Sequence, residues 1–358
     1  MNKKQKPKQR NIYLDIIRGI AVFLVLWGHS LQYFSTWQIN IYENTAFRFI
    51  YSFHMPLFML LSGYFFYFTV QKNNVTKLIF NRLRTIGIPL VSWGILIALS
   101  EYYFSRQISL KDIWFQIENI WFLWSVLIAS LIVGITYRIF RKFKWCPLMH
   151  IAIFLILFLA PTQLRIIQDY RTLYVYPYFI IGFLYNEYKD KIPNVLKLVR
   201  YLSIPLYIIM FPQFHQNTYI YTTQISILNS ALGTAEQLKI DMFRWGIGLV
   251  GSLLVMVIVE LLIKSRYLSI ILNLLFSRLG TISLQVYVVQ RVLLEGLANR
   301  AYNSWVAQNG KNILLTNINA YNFYWTPLIA TLFAIGIYWL VKLLCLNKYI
   351  KFVLFGGR

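Results

Sequence analysis

Apolar runs of about twenty residues recur along the whole chain, and nothing else limits its fold so strongly. About 20 consecutive apolar residues are what one helix needs to cross a hydrocarbon core about 30 Å thick. In that solvent every backbone polar group has to be satisfied internally, which selects helices or closed barrels. The 358 residues are 58% hydrophobic and 13% charged, against about 45–50% apolar and about 25% charged in ordinary soluble domains. Length alone would suggest two or three soluble domains. The apolar runs overrule that prior and indicate one all-α, polytopic membrane domain over residues 1–358, with 1–11 as a basic cytoplasmic tail.

The pattern predicts ten transmembrane helices, at about 12–34, 46–70, 86–104, 119–138, 148–165, 172–188, 199–214, 243–263, 279–299 and 323–345. Of these, 172–188 and 199–214 are the shortest in apolar content, and 265–278 reads as an interfacial helix. Basic residues gather in alternate connections: the tail, 71–85, 138–145, 188–200, 264–278 and the C-terminal end. The positive-inside rule then places both termini in the cytoplasm, in keeping with an even number of spans. The first run is too long for a signal-peptide core and no A-x-A site follows it, so a retained signal-anchor helix is expected. A net charge of +23 raises nucleic acid as a partner. The alternating loops account for it without one, and no nucleic-acid partner is expected. Cys146 and Cys345 suggest neither a disulfide framework nor a metal cluster.

Arg18 and His29 lie inside the first run, with ten residues between them. A charge at membrane depth costs roughly 3 kcal/mol or more, so ionisable residues there are functional candidates. The rise of a helix separates the two by about 16 Å, about half a bilayer. His29 near the end of the first span and His54 near the start of the second both fall roughly 8–12 Å below the same edge. Imidazole can serve as a general base or accept an acyl group itself. The plainer readings are hydrogen bonds to neighbouring helices and, for His54, a hinge beside Pro56. Arg18 can hold an anion through its planar fork of donors or pair with Asp15 at i, i+3.

Lys77, Arg82 and Arg84 precede the third span. They either set topology and meet anionic lipid or bind a polyphosphate ligand. Trp121 and Trp124, with Glu118 one turn earlier, can stack on and orient a sugar, or simply sit at an interface. Gln290 and Arg291 interrupt the ninth span, which implies a cavity or interhelical hydrogen bonds. The polar, aromatic segments 214–242 and 300–322 are lids, sugar surfaces or plain connections. No Gly-rich phosphate loop, HExxH or CxxC is present, and Ser62-Gly63 reads as helix packing.

Taken together, "RNIYLDIIRGIAVFLVLWGHSLQ", "FIYSFHMPLFMLLSGYFF" and "NRLRTIGIPLVSWG" resemble the membrane acyltransferase 3 family, most closely its fucose 4-O-acetylase-like polysaccharide O-acetyltransferase branch. Weaker echoes run through "IWFLWSVL", "YPYFIIGFLYNEY" and "GTISLQVYVVQRVL". The resemblance implies transfer of an acetyl group from cytosolic acetyl-CoA to a hydroxyl of a cell-surface polysaccharide or lipid-linked sugar, in a plasma membrane of bacterial type. No metal is implied. It assigns catalysis to His29, His54 and Arg18 and donor binding to Arg18, Lys77, Arg82 and Arg84; the reading of the residues themselves adds Glu118, Trp121, Trp124 and Gln290 as acceptor contacts. Many members carry His where this chain has Gln290. Some carry a fused extracytoplasmic domain, and a stand-alone enzyme is expected here. The rival from another class is a transporter or flippase for a lipid-linked glycan, although no internal repeat is evident.

Overall fold

The protein is described by a computed structural model that covers residues 11–106, 108–160, 169–225 and 232–357. The described residues are helical, with no strand among them. In chain order the helices are α1 (Ile12–Tyr33), α2 (Thr45–Tyr51), α3 (His54–Lys72), α4 (Val75–Arg82), α5 (Ile88–Ser105), α6 (Leu110–Asn119) and α7 (Trp121–Phe140). Then follow α8 (Cys146–Leu159), α9 (Tyr170–Tyr188), α10 (Pro193–Met210), α11 (Ile220–Thr223), α12 (Thr234–Leu262) and α13 (Arg266–Leu272). The last are α14 (Arg278–Thr281), α15 (Ser283–Gln290), α16 (Asn299–Asn309), α17 (Ile318–Ala320), α18 (Thr326–Leu344) and α19 (Lys348–Phe355). Wide π-helical turns occupy Leu83–Gly87, Asn273–Ser277, Arg291–Ala298 and Tyr321–Trp325.

Local chemistry sets several boundaries. The Asn11 side chain accepts from the Leu14 N–H and starts α1. α5 ends where Arg106 turns left-handed at φ 57°. Ser109 and Asp112 then form a reciprocal capping box for α6. The hydroxyl and N–H of Ser109 hold the Asp112 carboxyl below its ordinary range.

Among the described residues seven helices are long and apolar enough to cross a membrane, or eight if Arg266–Thr281 and Ser283–Asn309, bent by 71°, count as one span. The ten expected spans therefore divide. Seven meet the physical requirement, and the expected 279–299 span is a broken one whose bend falls at Ile282. The expected 148–165 span is a helix of 14 residues, α8, about 21 Å long at 1.5 Å per residue and short of the hydrocarbon thickness. Its remainder falls largely outside the described residues. The expected 172–188 span is α9, long enough at 19 residues but rich in tyrosine. It packs inside the bundle and does not need an apolar outer surface. Two expected loops are also largely helical: α12 begins at Thr234, and α16 fills much of 300–322.

Small residues let the backbones touch at the centre. Gly63 of α3 faces the Phe179 carbonyl of α9, and Gly182 of α9 faces the Leu60 carbonyl of α3; a β-carbon at either site would overlap that oxygen. Gly19 of α1 and Gly280 of α14 make the same reciprocal approach, to Phe276 and Asp15. Association in lipid relies on such close packing because the hydrophobic effect between helices is lost there. Gly182→Ala and Gly63→Ala should each lower the thermal unfolding midpoint in detergent, with a cost of at least the ~1–3 kcal/mol typical of an overpacked core. Gly336→Ala, in open space on α18, is the matched control. An equal midpoint for all three variants would rule out this packing account.

Candidate active site

The first cavity forms where α1 and α3 meet the turn after α15. It measures about 200 Å³ and is lined by His29, Gln32, Tyr33, Tyr42, Phe47, Tyr51, His54, Met55, Asn119, Trp121, Arg171, Tyr221, Tyr287, Arg291 and Glu295. The Glu295 carboxylate organises it. His29 Nδ1 lies 3.0 Å from Oε1, and Gln290 Nε2 donates to the same oxygen at 2.7 Å. The Tyr33 hydroxyl donates to Oε2 at 2.9 Å, which also receives the Arg291 guanidinium. The π turn Arg291–Ala298 brings Gln290 and Glu295, five residues apart, onto one side; such turns are frequent at functional sites. With its Nδ1 facing a carboxylate, neutral His29 carries its proton there and keeps the Nε2 lone pair free.

His54 enters the cavity from a break in the chain. α2 ends at Tyr51 and α3 begins at His54, two residues before Pro56, which has no N–H to donate. The Ile50 carbonyl, whose backbone donor Phe53 is 3.4 Å away, accepts from His54 Nδ1 at 2.9 Å. A carbonyl only accepts, so Nδ1 bears the proton and Nε2 is the acceptor in neutral His54. The Tyr51 ring packs 4.7 Å from the imidazole.

A second cavity, of about 280 Å³, contains Arg18, Ser62, Phe65, Phe66, Thr69, Arg82, Ser283 and a wall of apolar side chains. Arg18 Nη2 donates to the Ser283 hydroxyl at 3.1 Å. Its guanidinium lies 5.0 Å from the centre of the Phe65 ring, and that of Arg82 lies 4.5 Å from the centre of Phe66. Adjacent rings of α3 thus hold two cations by their faces. The lining includes no carboxylate, so the space suits an anion. Met55 and Tyr287 line both cavities, which meet there.

The structure therefore gathers His29, His54, Trp121 and the buried Gln290 at one cavity and Arg18 and Arg82 at the other. Lys77 and Arg84 are exposed and line neither. Glu118 is exposed and accepts from Trp114 Nε1 at 2.6 Å, beside a shallow depression on α6. Trp124 Nε1 donates to the Ile117 carbonyl at 3.0 Å and serves packing. Sequence reasoning missed Glu295, Tyr33, Tyr51, Arg171 and Tyr287. The signal for Glu295 was present: an acidic residue five positions after Gln290 in an otherwise apolar stretch is as costly as Arg18. The segment 214–225 contributes Tyr221 to the cavity wall.

Comparison with known proteins adds an independent line. The chain is 28% identical over 239 residues to Nodulation protein NolL of Sinorhizobium fredii, covering 61% of each chain. It is 28% identical over 191 residues to NolL of Mesorhizobium japonicum, covering 50% of this chain and 48% of that one. Glucans biosynthesis protein C of Escherichia coli K12 is 33% identical over 156 residues, 37% of this chain and 40% of that one. The chain thus spans about half the length of the curated relatives it matches. No solved structure matches it. A family model described as an acyltransferase domain matches residues 11–346, and the chain belongs to that family, the acyltransferases of type 3.

Proposed function

We propose that this membrane acyltransferase moves an acetyl group from cytosolic acetyl-CoA to a hydroxyl of a cell-surface polysaccharide or lipid-linked sugar. The observation that carries the reading is the meeting of two unlike cavities at Met55 and Tyr287. One is lined by guanidinium groups fitted to the phosphates and polar arm of an anionic donor. The other pairs an oriented imidazole with aromatic rings and amides fitted to a sugar. The positive-inside rule puts the Arg18 cavity toward the cytoplasm and the His29 cavity toward the opposite side. The name of Glucans biosynthesis protein C speaks of glucan for that relative and favours a saccharide acceptor here.

In this mechanism His29 Nε2 takes the proton of the acceptor hydroxyl while Glu295 stabilises the resulting imidazolium. The hydroxyl oxygen bonds to the thioester carbonyl carbon, the carbon–sulfur bond breaks, and the leaving thiolate takes the proton back from the His29 imidazolium to give the free thiol of CoA and neutral His29. Arg291 stands at the cavity with further N–H donors for the transient oxyanion. Neutral His54 presents only an acceptor, so it suits proton transfer or hydroxyl orientation rather than oxyanion binding. Arg18 and Arg82 hold the donor. Lys77 and Arg84, exposed on the same α4 region, attract it from solution.

A positioned general base contributes about 10²–10⁴-fold, so His29→Ala should lose at least about two orders of magnitude in acceptor-dependent release of CoA while expression and folding persist. Near-normal release would remove His29 from the mechanism. Glu295→Gln keeps the shape but loses the charge that fixes the His29 tautomer, and a comparable fall in kcat of about 10²-fold or more is expected. Unchanged kcat would make Glu295 purely structural. Arg18→Lys should raise KM for acetyl-CoA, because a point charge lacks the guanidinium fork. Normal KM and kcat would reduce Arg18 to a packing part. A purified protein that releases no CoA in the presence of acceptor yet moves a lipid-linked glycan across vesicles would establish the flippase alternative.

A further inference from the structure

The two cavities share Met55 and Tyr287 in their linings. Met55 lines the Arg18 cavity, the His29 cavity and a small third cavity beside Tyr219 and Trp121, so it stands at the point where the internal spaces converge. Tyr287 faces it from α15. On the Arg18 side Phe58 and Phe122 complete the wall, with ring centres 5.7 Å apart and the Phe122 ring 5.5 Å from that of Tyr287. Each of these four side chains is more than nine-tenths buried. Met55 follows His54, whose ring is tied to Ile50, and Phe122 lies in the first turn of α7.

Given the transfer reading above, on which this inference rests, a thioester whose phosphates sit beside Arg18 and Arg82 reaches His29 only by passing its acyl end between these side chains. We propose that Met55, Phe58, Phe122 and Tyr287 form a collar that selects the acyl group by length, admitting a two-carbon acyl group to the His29 side and holding back longer unbranched ones. Apolar walls discriminate such groups by steric exclusion and packing, and one methylene in a fitted apolar pocket is worth about 10–200-fold in kcat/KM. Met55 is the natural determinant because its unbranched, flexible thioether fills irregular space. Truncating it opens the collar without touching the carboxylate-bound His29.

The test uses membrane vesicles from a host strain that makes its own acceptor, carrying the full chain or its variants, supplied in turn with acetyl-CoA, propionyl-CoA and butyryl-CoA. Acyl esters on the recovered glycan are quantified by mass spectrometry. The wild type should transfer acetyl in strong preference to butyryl. Met55→Ala should raise the butyryl-to-acetyl ratio of kcat/KM by at least about tenfold, and Phe122→Ala, an independent opening of the same collar, should shift it in the same direction. A wild type that uses butyryl as readily as acetyl, or an unchanged ratio in either active variant, would overturn the collar while leaving acyl transfer intact. A wild type that transfers no acyl group from any donor would instead overturn the transfer reading itself.

Discussion

A carboxylate enclosed among helices needs its lone pairs matched, and Glu295 meets that demand with four partners. An ionised carboxylate offers roughly four acceptor positions. Gln290 donates to Oε1, His29 Nδ1 lies 3.0 Å from the same oxygen, and Tyr33 and Arg291 meet Oε2. Removing the charged partner, Arg291, from such a buried pair typically costs about 3–5 kcal/mol because the carboxylate is left uncompensated. The arrangement also joins distant parts of the chain, since His29 and Tyr33 belong to α1 while the others belong to α15 and the turn that follows it. The geometry of His29 is thereby coupled to the helix break at Ile282 and to the close glycine contact of α1 with α14. Chemistry and packing share one set of constraints.

Much of this was legible in the chain before any coordinates. Arg18 and His29 were conspicuous because an apolar run makes every charge expensive, and helical rise alone put His54 at the level of His29. The limits were equally physical. Periodicity treats a helix as regular, so it could not foresee the π turn that folds Gln290 and Glu295 together. It also read α9 as a weak span because its tyrosines lower its hydropathy, although a helix surrounded by protein can afford them. Basic residues were grouped by loop, yet Arg82 turns inward onto Phe66 while Lys77 and Arg84 stay exposed. Nothing in their spacing announces that difference; it depends on how α4 lies against α7.

Gln290 shows how a change of residue can preserve a role. In the family pattern this place often belongs to histidine. Here a fully buried amide donates one hydrogen bond to the carboxylate, which an imidazole N–H can also do. On the proposed mechanism a neutral donor of suitable reach is enough at this position, and proton transfer is assigned to the imidazole on α1. The same economy holds at His54, where a side chain supplies the Ile50 carbonyl with a donor next to a proline-induced break.

The meeting of the two cavities has an electrical consequence. Both cavities bear ionic side chains and have room for water, and Met55 and Tyr287 line both. A transmembrane voltage falls mainly across its thinnest insulator, at about 2.3 kcal/mol per elementary charge per 100 mV. On the proposed transfer, any step that separates charge across these side chains would respond to the membrane potential.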